Sequence, residues 1–212
     1  MDLEDALMTA RSMRRFTDDP VDDADIEWSL RAAVQASNGG NLQPYRFVVV
    51  TEADKRAAIG DLYLRAWNRY EPAVKASMQI DETMERNYAI SRRLAEAFGD
   101  VPVHVLVLMP KIEMTVTDAD GTMDVGPLAA SVYPAVQNLI LALRARGLGT
   151  VLTTVWRPLE AEVRAVCDIP DRFEIAALLP VGVPKGRWGV APRRPADQLT
   201  SWNAFGTKRP NA

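Results

Sequence analysis

Apolar positions recur along this chain in two ways: at steps of three and four, and in short unbroken runs. The first pattern marks amphipathic helices and the second marks buried strands. Leu3, Ala6, Leu7 and Ala10 predict a short helix over 2–11. Ile26, Leu30, Ala33 and Val34 predict a second over about 24–36, with Asp22 or Asp23 as its cap. Phe47–Val50 is a β-branched and aromatic run that predicts a buried strand. Thr51 with Asp54 resembles a capping box, with Asp in place of Glu or Gln, ahead of a helix to about Tyr70. Pro72 interrupts the pattern. Ile80, Met84, Tyr88 and Leu94 then suggest another amphipathic helix ending near Gly99. Val103–Met109 is a second strand. It contains His104, for which a packed role is expected rather than a catalytic one. Residues 111–124 form a polar connection with an Asp-Ala-Asp-Gly turn.

The longest helix is expected to start near Val125, with Pro127 in its first turn. Leu128, Val132, Val136, Leu139 and Leu143 give it one apolar face, and Ala129, Ala130, Ala135, Ile140 and Ala142 make much of the rest small or apolar. A helix apolar around most of its girth is covered on more than one side, at the centre of a domain or of a dimer. Gly147 is its expected left-handed cap. Gly147–Thr154 reads as a tight turn into a third strand, Pro158 opens a helix through Val166, and Phe173–Val183 is a fourth strand. Residues 184–212 are rich in Pro, Gly and Arg and lack a helical period. They nevertheless carry Trp188 and Trp202, whose apolar area needs a surface to cover. No repeat or linker divides the chain, so a single domain over 1–212 is expected.

Composition narrows the chemistry. Of 212 residues, 48% are hydrophobic and 25% charged, ordinary for a globular protein that builds its own core. A net charge of −3 gives no overall positive field to favour nucleic acid. The longest apolar stretches fall short of a membrane span. The opening Met-Asp-Leu-Glu-Asp lacks the basic-then-apolar order of a signal peptide. With one cysteine, Cys167, these features lead us to expect a cytoplasmic location. One histidine and one cysteine leave little for a zinc site or a Cys–His nucleophile pair, so no metal is expected.

Four segments carry candidate chemistry. Arg11-Ser12-Met13-Arg14-Arg15-Phe16 is a basic knot whose guanidinium forks match phosphate oxygens, or a solvated basic turn. Ser37-Asn38-Gly39-Gly40-Asn41-Leu42-Gln43-Pro44-Tyr45-Arg46 joins amides, which both donate and accept, to glycines that permit close backbone approach. It suits a flat, polar-edged heterocycle, or an ordinary helix-to-strand loop. Gly147–Thr154 pairs glycines with hydroxyls, and Arg193-Arg194-Pro195 comes late. Trp67, Tyr70 and Tyr88 suit the roof of a pocket or a core. No GxGxxG, GxxxxGK[ST] or GxSxG is present. A redox cofactor is compatible with so little His and Cys, because the cofactor itself carries the chemistry.

In order and spacing these segments resemble the flavin-dependent nitroreductase family. The matching stretches are Arg11–Phe16 with Pro20-Val21, Ser37–Phe47, Tyr133-Pro134-Ala135-Val136-Gln137-Asn138-Leu139 running on to Gly147-Leu148-Gly149-Thr150, and Arg193-Arg194-Pro195. The likeness covers nearly the whole chain except about residues 60–100. Ser37-Asn38 stands where the family more commonly has Pro-Ser, and Tyr45 where it has Trp. The family's asparagine and lysine after the first strand have no match here.

The resemblance implies an α+β fold: a central, mostly antiparallel sheet flanked by helices, in an intertwined homodimer with FMN at the subunit interface. The helix near 125–146 would form the dimer core, and 184–212 would reach across as an arm adding a strand to the partner's sheet. It implies NADH or NADPH as donor and a nitroaromatic, quinone or related small organic acceptor, in ping-pong hydride transfer through flavin N5. No protein residue need be catalytic. By position, Arg11, Ser12 and Arg14 match phosphate and ribityl contacts, and Asn41 the ring or ribityl edge. Asn38 and Gly39 would meet the cofactor from the partner subunit, with Gln43 ordering their loop. Leu152 and Thr153 would pack backbone on the ring. Arg193, with Arg194 second, would serve the phosphate. Residues 60–100, with Trp67, Tyr70 and Tyr88, would form a variable lid that selects the acceptor. A specialised flavin enzyme of this fold (a reductive dehalogenase, enone reductase or flavin reductase) and a non-catalytic flavin-binding regulatory module stay open as alternatives. Neither a nucleic-acid nor a membrane partner is expected.

Overall fold

A computed structural model describes residues 1–209. Its centre is a pair of apolar strands, Val103–Pro110 (β2) and Phe173–Gly182 (β6), joined antiparallel from Val103↔Val181 to Pro110↔Phe173. Arg46–Val50 (β1) pairs antiparallel with β2, and the two-residue Gly149–Thr150 (β5) with β6, giving the order β1-β2-β6-β5. Both faces of this sheet are covered. Val103, Val105 and Val107 of β2 face one apolar cluster, and Leu106 and Leu108 face the other. The unbroken apolar runs of β2 and β6 follow from this two-sided burial, whereas β1, at the sheet's edge, is less buried than its run predicts, with Val49 38% exposed. The register slips between Val107 and Leu108, which pair with Ala177 and Ile175 and leave Ala176 as an extra residue. This bulge puts Ala176 on the same side as Ala177.

Asp23–Ala33 (α2) and Ala129–Ala145 (α5) cover the first face. The side chain of Asp22 caps α2, accepting from Ala24 N at 2.9 Å. Val132, Ala135, Val136, Leu139 and Leu143 of α5 are buried there, while Tyr133 remains 41% exposed. Ala53–Ser77 (α3), Glu82–Glu96 (α4) and Glu160–Val166 (α6) cover the second face. Leu3–Thr9 (α1) lies against α5. The fold is therefore α+β with an antiparallel central sheet, as expected.

Several local expectations need correction. The longest helix is α3, with 25 residues, and not α5, with 17. Pro72 does not end α3: it lies on the exposed side, where water can satisfy the carbonyl it leaves unbonded. α5 starts at Ala129, later than expected, because Gly126 holds a φ of 97° that no helix contains. The Thr51–Asp54 capping box does not form. Glu52 occupies the N-cap without a side-chain bond, and the Thr51 carbonyl accepts from Arg56 Nε at 3.1 Å. The polar connection is a hairpin, Thr115–Asp118 (β3) with Gly121–Asp124 (β4), closed by the expected Asp-Ala-Asp-Gly turn. Residues 184–209 hold one short helix, Ala196–Leu199 (α7). Gly147, at φ 77°, ends α5 as expected.

One close approach fixes α3 to the sheet. Gly60 lies so near the Phe98–Asp100 turn that a Cβ on it would sit 2.5 Å from Gly99 N. Arg56 ties the same turn down, its Nη1 donating to the Gly99 and Val101 carbonyls at 3.2 and 3.0 Å. Nearby, buried His104 bonds through Nε2 to the Phe98 carbonyl at 2.9 Å, and its Nδ1 has no partner among the described residues. Burial pushes its pKa down to about 4, so the ring is neutral at pH 7.

Two predictions follow from this corner. Gly60→Ala should destabilise by about 1–3 kcal/mol, because backbone blocks the new methyl group, and thermal unfolding should show the loss. His104 has a folded pKa below its unfolded value, so between about pH 6.5 and 4 the unfolded chain binds the extra proton. Stability should therefore fall as pH drops through that window, by up to about 3 kcal/mol from this group. Urea unfolding at pH 7 and pH 5 should show a shallower loss in His104→Leu than in the wild type.

Candidate functional site

The basic segment near the N-terminus is held along the edge of the sheet. Met13 N donates to the Thr150 carbonyl at 2.9 Å, Thr17 N to the Val183 carbonyl at 2.8 Å, and Lys185 N to the Arg15 carbonyl at 2.9 Å. Met13 and Phe16 fill the space over two glycines: Cβ atoms at Gly149 and Gly182 would fall 2.9 and 3.1 Å from those side chains. With Met13 buried and Phe16 half-buried, the polar residues between and beside them are left free. Arg14 is half-buried, and Arg11, Ser12 and Arg15 are exposed.

Arg14 lines a cavity of about 330 Å³. One side is the Val151–Val155 segment that follows β5, and the other is formed by α3 and α4. Tyr63, Trp67 and Tyr70 descend α3 at steps of four and three, and Tyr88 faces them from α4. Asn87 and Ser91 add polar groups from α4. Arg14 is the single charged side chain in the lining. Among the described residues it has no hydrogen-bond or ion-pair partner, and burial lowers its pKa from the ordinary arginine value. A desolvated guanidinium without a carboxylate is costly unless an anion arrives to pair with it. Tyr63 stacks on Phe98 at 4.0 Å, and burial pushes its phenol up to about 12, so it stays protonated.

The Ser37–Arg46 loop lies elsewhere. With the base of the β3–β4 hairpin and the start of α5 it lines a separate cavity of about 430 Å³. The two cavities share no residue. Gly40, Asn41 and Gln43 hold φ values of 56°, 55° and 47°. Two of these three are not glycine, and such left-handed conformations concentrate where function fixes a loop. The amides largely serve the loop itself. Asn38 Oδ1 accepts from Gln43 N at 2.9 Å, and its Nδ2 donates to the Ala36 carbonyl at 3.2 Å. Gln43 Nε2 donates to Asn41 Oδ1 at 3.1 Å, and Gly39 N to Ser131 Oγ at 3.1 Å.

One chain therefore brings together Arg14, Leu152, Thr153, Trp67, Tyr70 and Tyr88. It does not bring Asn38, Gly39 or Asn41 to the same cavity. Arg11 lines a narrow cleft beside Trp188, over which Arg144 stacks at 4.2 Å. Arg193 and Arg194 are exposed and outside the Arg14 cavity, and Arg193 donates to the Pro192 carbonyl at 3.1 Å. Among the described residues, Arg11, Arg193 and Arg194 have no carboxylate partner either. Sequence reasoning missed Tyr63, Asn87 and Ser91. The Tyr63–Trp67–Tyr70 spacing was the available signal for the first, since it places three aromatics on one helical face. No three or more His, Cys, Asp and Glu among the described residues are grouped to hold a metal. No helix there is long and apolar enough to cross a membrane.

The family model described as "Nitroreductase family" matches residues 7–183. The 5,6-dimethylbenzimidazole synthase of Rhodospirillum rubrum is 30% identical over 179 residues, which span 82% of this chain and 78% of that protein. An iodotyrosine deiodinase bound to FMN and 3-iodo-L-tyrosine superposes with a TM-score of 0.73 at 25% identity, covering 96% of this chain and 100% of that one. An FMN- and NADPH-dependent nitroreductase from Sphigopyxis sp. strain HMH superposes with a TM-score of 0.72 at 25% identity, covering 97% and 100%.

The unpaired Arg14 leads to a two-sided prediction. Arg14→Met should raise the melting temperature of the ligand-free protein by a few degrees, because it removes a desolvated charge. The same change should weaken binding of phosphate-bearing ligands, read as loss of the ligand-induced thermal shift.

Proposed function

The chain belongs to the nitroreductase family, and on that premise we propose that it is an FMN-dependent NAD(P)H oxidoreductase whose acceptor is an uncharged planar molecule such as a nitroaromatic or a quinone. The observation that carries this reading is Arg14: a half-buried guanidinium with no partner among the described residues, aimed into an aromatic-walled cavity. The residues present fit the cofactor. Arg14, with Arg11 and Ser12 on the same segment, would hold its phosphate, and the backbone at Leu152 and Thr153 would support its ring. Bound FMN supplies a two-electron relay between nicotinamide and acceptor, so the cavity needs no nucleophile or acid–base pair of its own.

The lining also favours one acceptor class over another. An amino-acid substrate such as 3-iodo-L-tyrosine carries an ammonium and a carboxylate, and each needs a counter-charge when desolvated. Arg14 is the cavity's one charged side chain, and the cofactor phosphate claims it. Tyr70 and Tyr88, packed on the buried Trp67, offer stacking surface instead, which suits an uncharged ring. Residues 60–100 then act as the lid that selects the acceptor.

A second copy of the chain would complete the site. The Ser37–Arg46 loop is apart from the Arg14 cavity within one chain, so its strained amides serve a partner's cofactor in this reading. The outward side of α5 leaves Tyr133 and Pro134 exposed. Leu199, Trp202 and Phe205 of the C-terminal segment are 66%, 45% and 102% exposed. Apolar side chains so displayed suit an arm laid across a partner subunit.

The purified protein should be yellow, with a flavin absorbance band. Anaerobic addition of NADH or NADPH should bleach that band, and a nitroaromatic or quinone should restore it. A colourless protein that stays colourless after incubation with FMN overturns the reading. Stable yellow protein that neither nucleotide bleaches would instead identify a flavin-binding module without turnover.

A further inference from the structure

The buried carboxylate of Glu71 is unusual for a surface helix of a lid. It lies on α3 beside the aromatic wall, and only 6% of its side chain is exposed. Three groups converge on it. Trp67 Nε1 donates to Glu71 Oε2 at 2.9 Å, and Arg92 of α4 bonds to the same oxygen. Lys75 Nζ lies 3.1 Å from Oε1 and also 2.7 Å from Glu85 of α4. The Lys75 ammonium sits over the Tyr88 ring, 5.7 Å from its centre. Burial works to raise the Glu71 pKa, but the hydrogen bonds from Lys75 and Trp67 and the nearby Arg92 charge outweigh it, so the carboxyl stays ionised.

We propose that Glu71 is the positioning residue of the acceptor pocket: a single carboxylate that sets the Trp67 indole and locks α4, with Tyr88, opposite it. The inference rests on the acceptor-pocket reading above. The geometry gives Glu71 two jobs through two bonds. The indole N–H fixes the rotation of Trp67, which is only 3% exposed, so the part of the ring that lines the cavity is held in one orientation behind Tyr70 and Tyr88. The Arg92 bond ties α4 to α3. Apart from Glu71's bonds, the descending half of α3 and the facing part of α4 share the Lys75–Glu85 ion pair at 2.7 Å and the aromatic contact Trp67–Tyr88 at 6.2 Å. Glu71 itself is not in the cavity lining, so it acts through Trp67 and Tyr88 rather than on the acceptor. Glu85 also ties α4 to α3, through Lys75, but touches neither Glu71 nor Trp67, so it is the control that separates loss of a helix tie from loss of the Glu71 carboxylate.

The test is steady-state kinetics of the flavin-loaded protein with NADH or NADPH, using menadione as acceptor. Glu71→Ala should raise the KM for menadione about tenfold with kcat within about twofold and the bound-flavin spectrum unchanged. Trp67→Phe should do the same, and the double variant should be no worse than either single one, because both remove one shared arrangement. Glu71→Gln keeps an oxygen for the indole and should recover part of the loss. Glu85→Gln should match the wild type. Additive effects of Glu71→Ala and Trp67→Phe, or an unmoved KM in Glu71→Ala, overturn the inference. If Glu71→Ala does not fold, Glu71→Gln decides alone: a KM equal to that of the wild type overturns the proposal, and a raised KM with unchanged kcat supports it. Wild-type protein that takes up no flavin overturns the functional reading itself, which these variants do not address.

Discussion

The pairing of β2 with β6 constrains everything else. Both strands are buried on both faces, so neither can carry an unpaired polar side chain into the core without cost. The helices α2 and α5 must be apolar on one side of the sheet, and α3, α4 and α6 on the other. His104 is the exception, and it is neutral and bonded to a carbonyl. Polar chemistry is thereby pushed to the sheet's margin. The basic segment lies there, along β5 and the end of β6, with Met13 and Phe16 seated over glycines and Arg14 lining the cavity between the sheet's margin and α3 and α4.

This arrangement explains why the site uses charge sparingly. Arg14 is kept partly from water and given no carboxylate among the described residues, so its electrostatic demand is unmet until an anion binds. The helices α3 and α4 balance charges between them: Glu71 and Glu85 against Arg92 and Lys75. What they show to the cavity is uncharged, aromatic rings with Asn87 and Ser91 among them. The division is physical. One segment supplies the cavity's charge, and the two helices supply its rings.

Much of this was legible in the sequence. The unbroken runs at 103–109 and 173–183 gave the strands because two-sided burial leaves no polar alternation to obscure them, and the β-branched run at 47–50 gave the edge strand. The Arg11–Phe16 and Ser37–Arg46 segments stood out because charge, glycine and amides are concentrated there. The rest depends on contacts distant in sequence. Pro72 looked like a helix end, since nothing local says that Glu85 of α4 will hold the turn beyond it through Lys75. Gly60 carried no sequence signal, because its importance comes from Gly99, 39 positions on, brought within contact. What the sequence did not show of Asn38 is that its amide also braces its own loop, bonding the Ala36 carbonyl and Gln43 N. Residues 60–100 matched no family pattern, and Tyr63, Asn87 and Ser91 went unnoticed there because helical spacing identifies a face without naming what it faces.

The Gly60–Gly99 contact has a mechanical consequence. It clamps α3 near its first turns, together with Arg56, while the half that carries Trp67, Tyr70 and Glu71 extends beyond the clamp. Beyond that clamp the inward side of the helix stays in the core, with Trp67 in the same cluster as Leu106 and Leu108 of β2. Only its outward side and the turn between α3 and α4 are unburdened by the strands beneath. Sequence can drift there as cladding on a wall, with the foundation left in place.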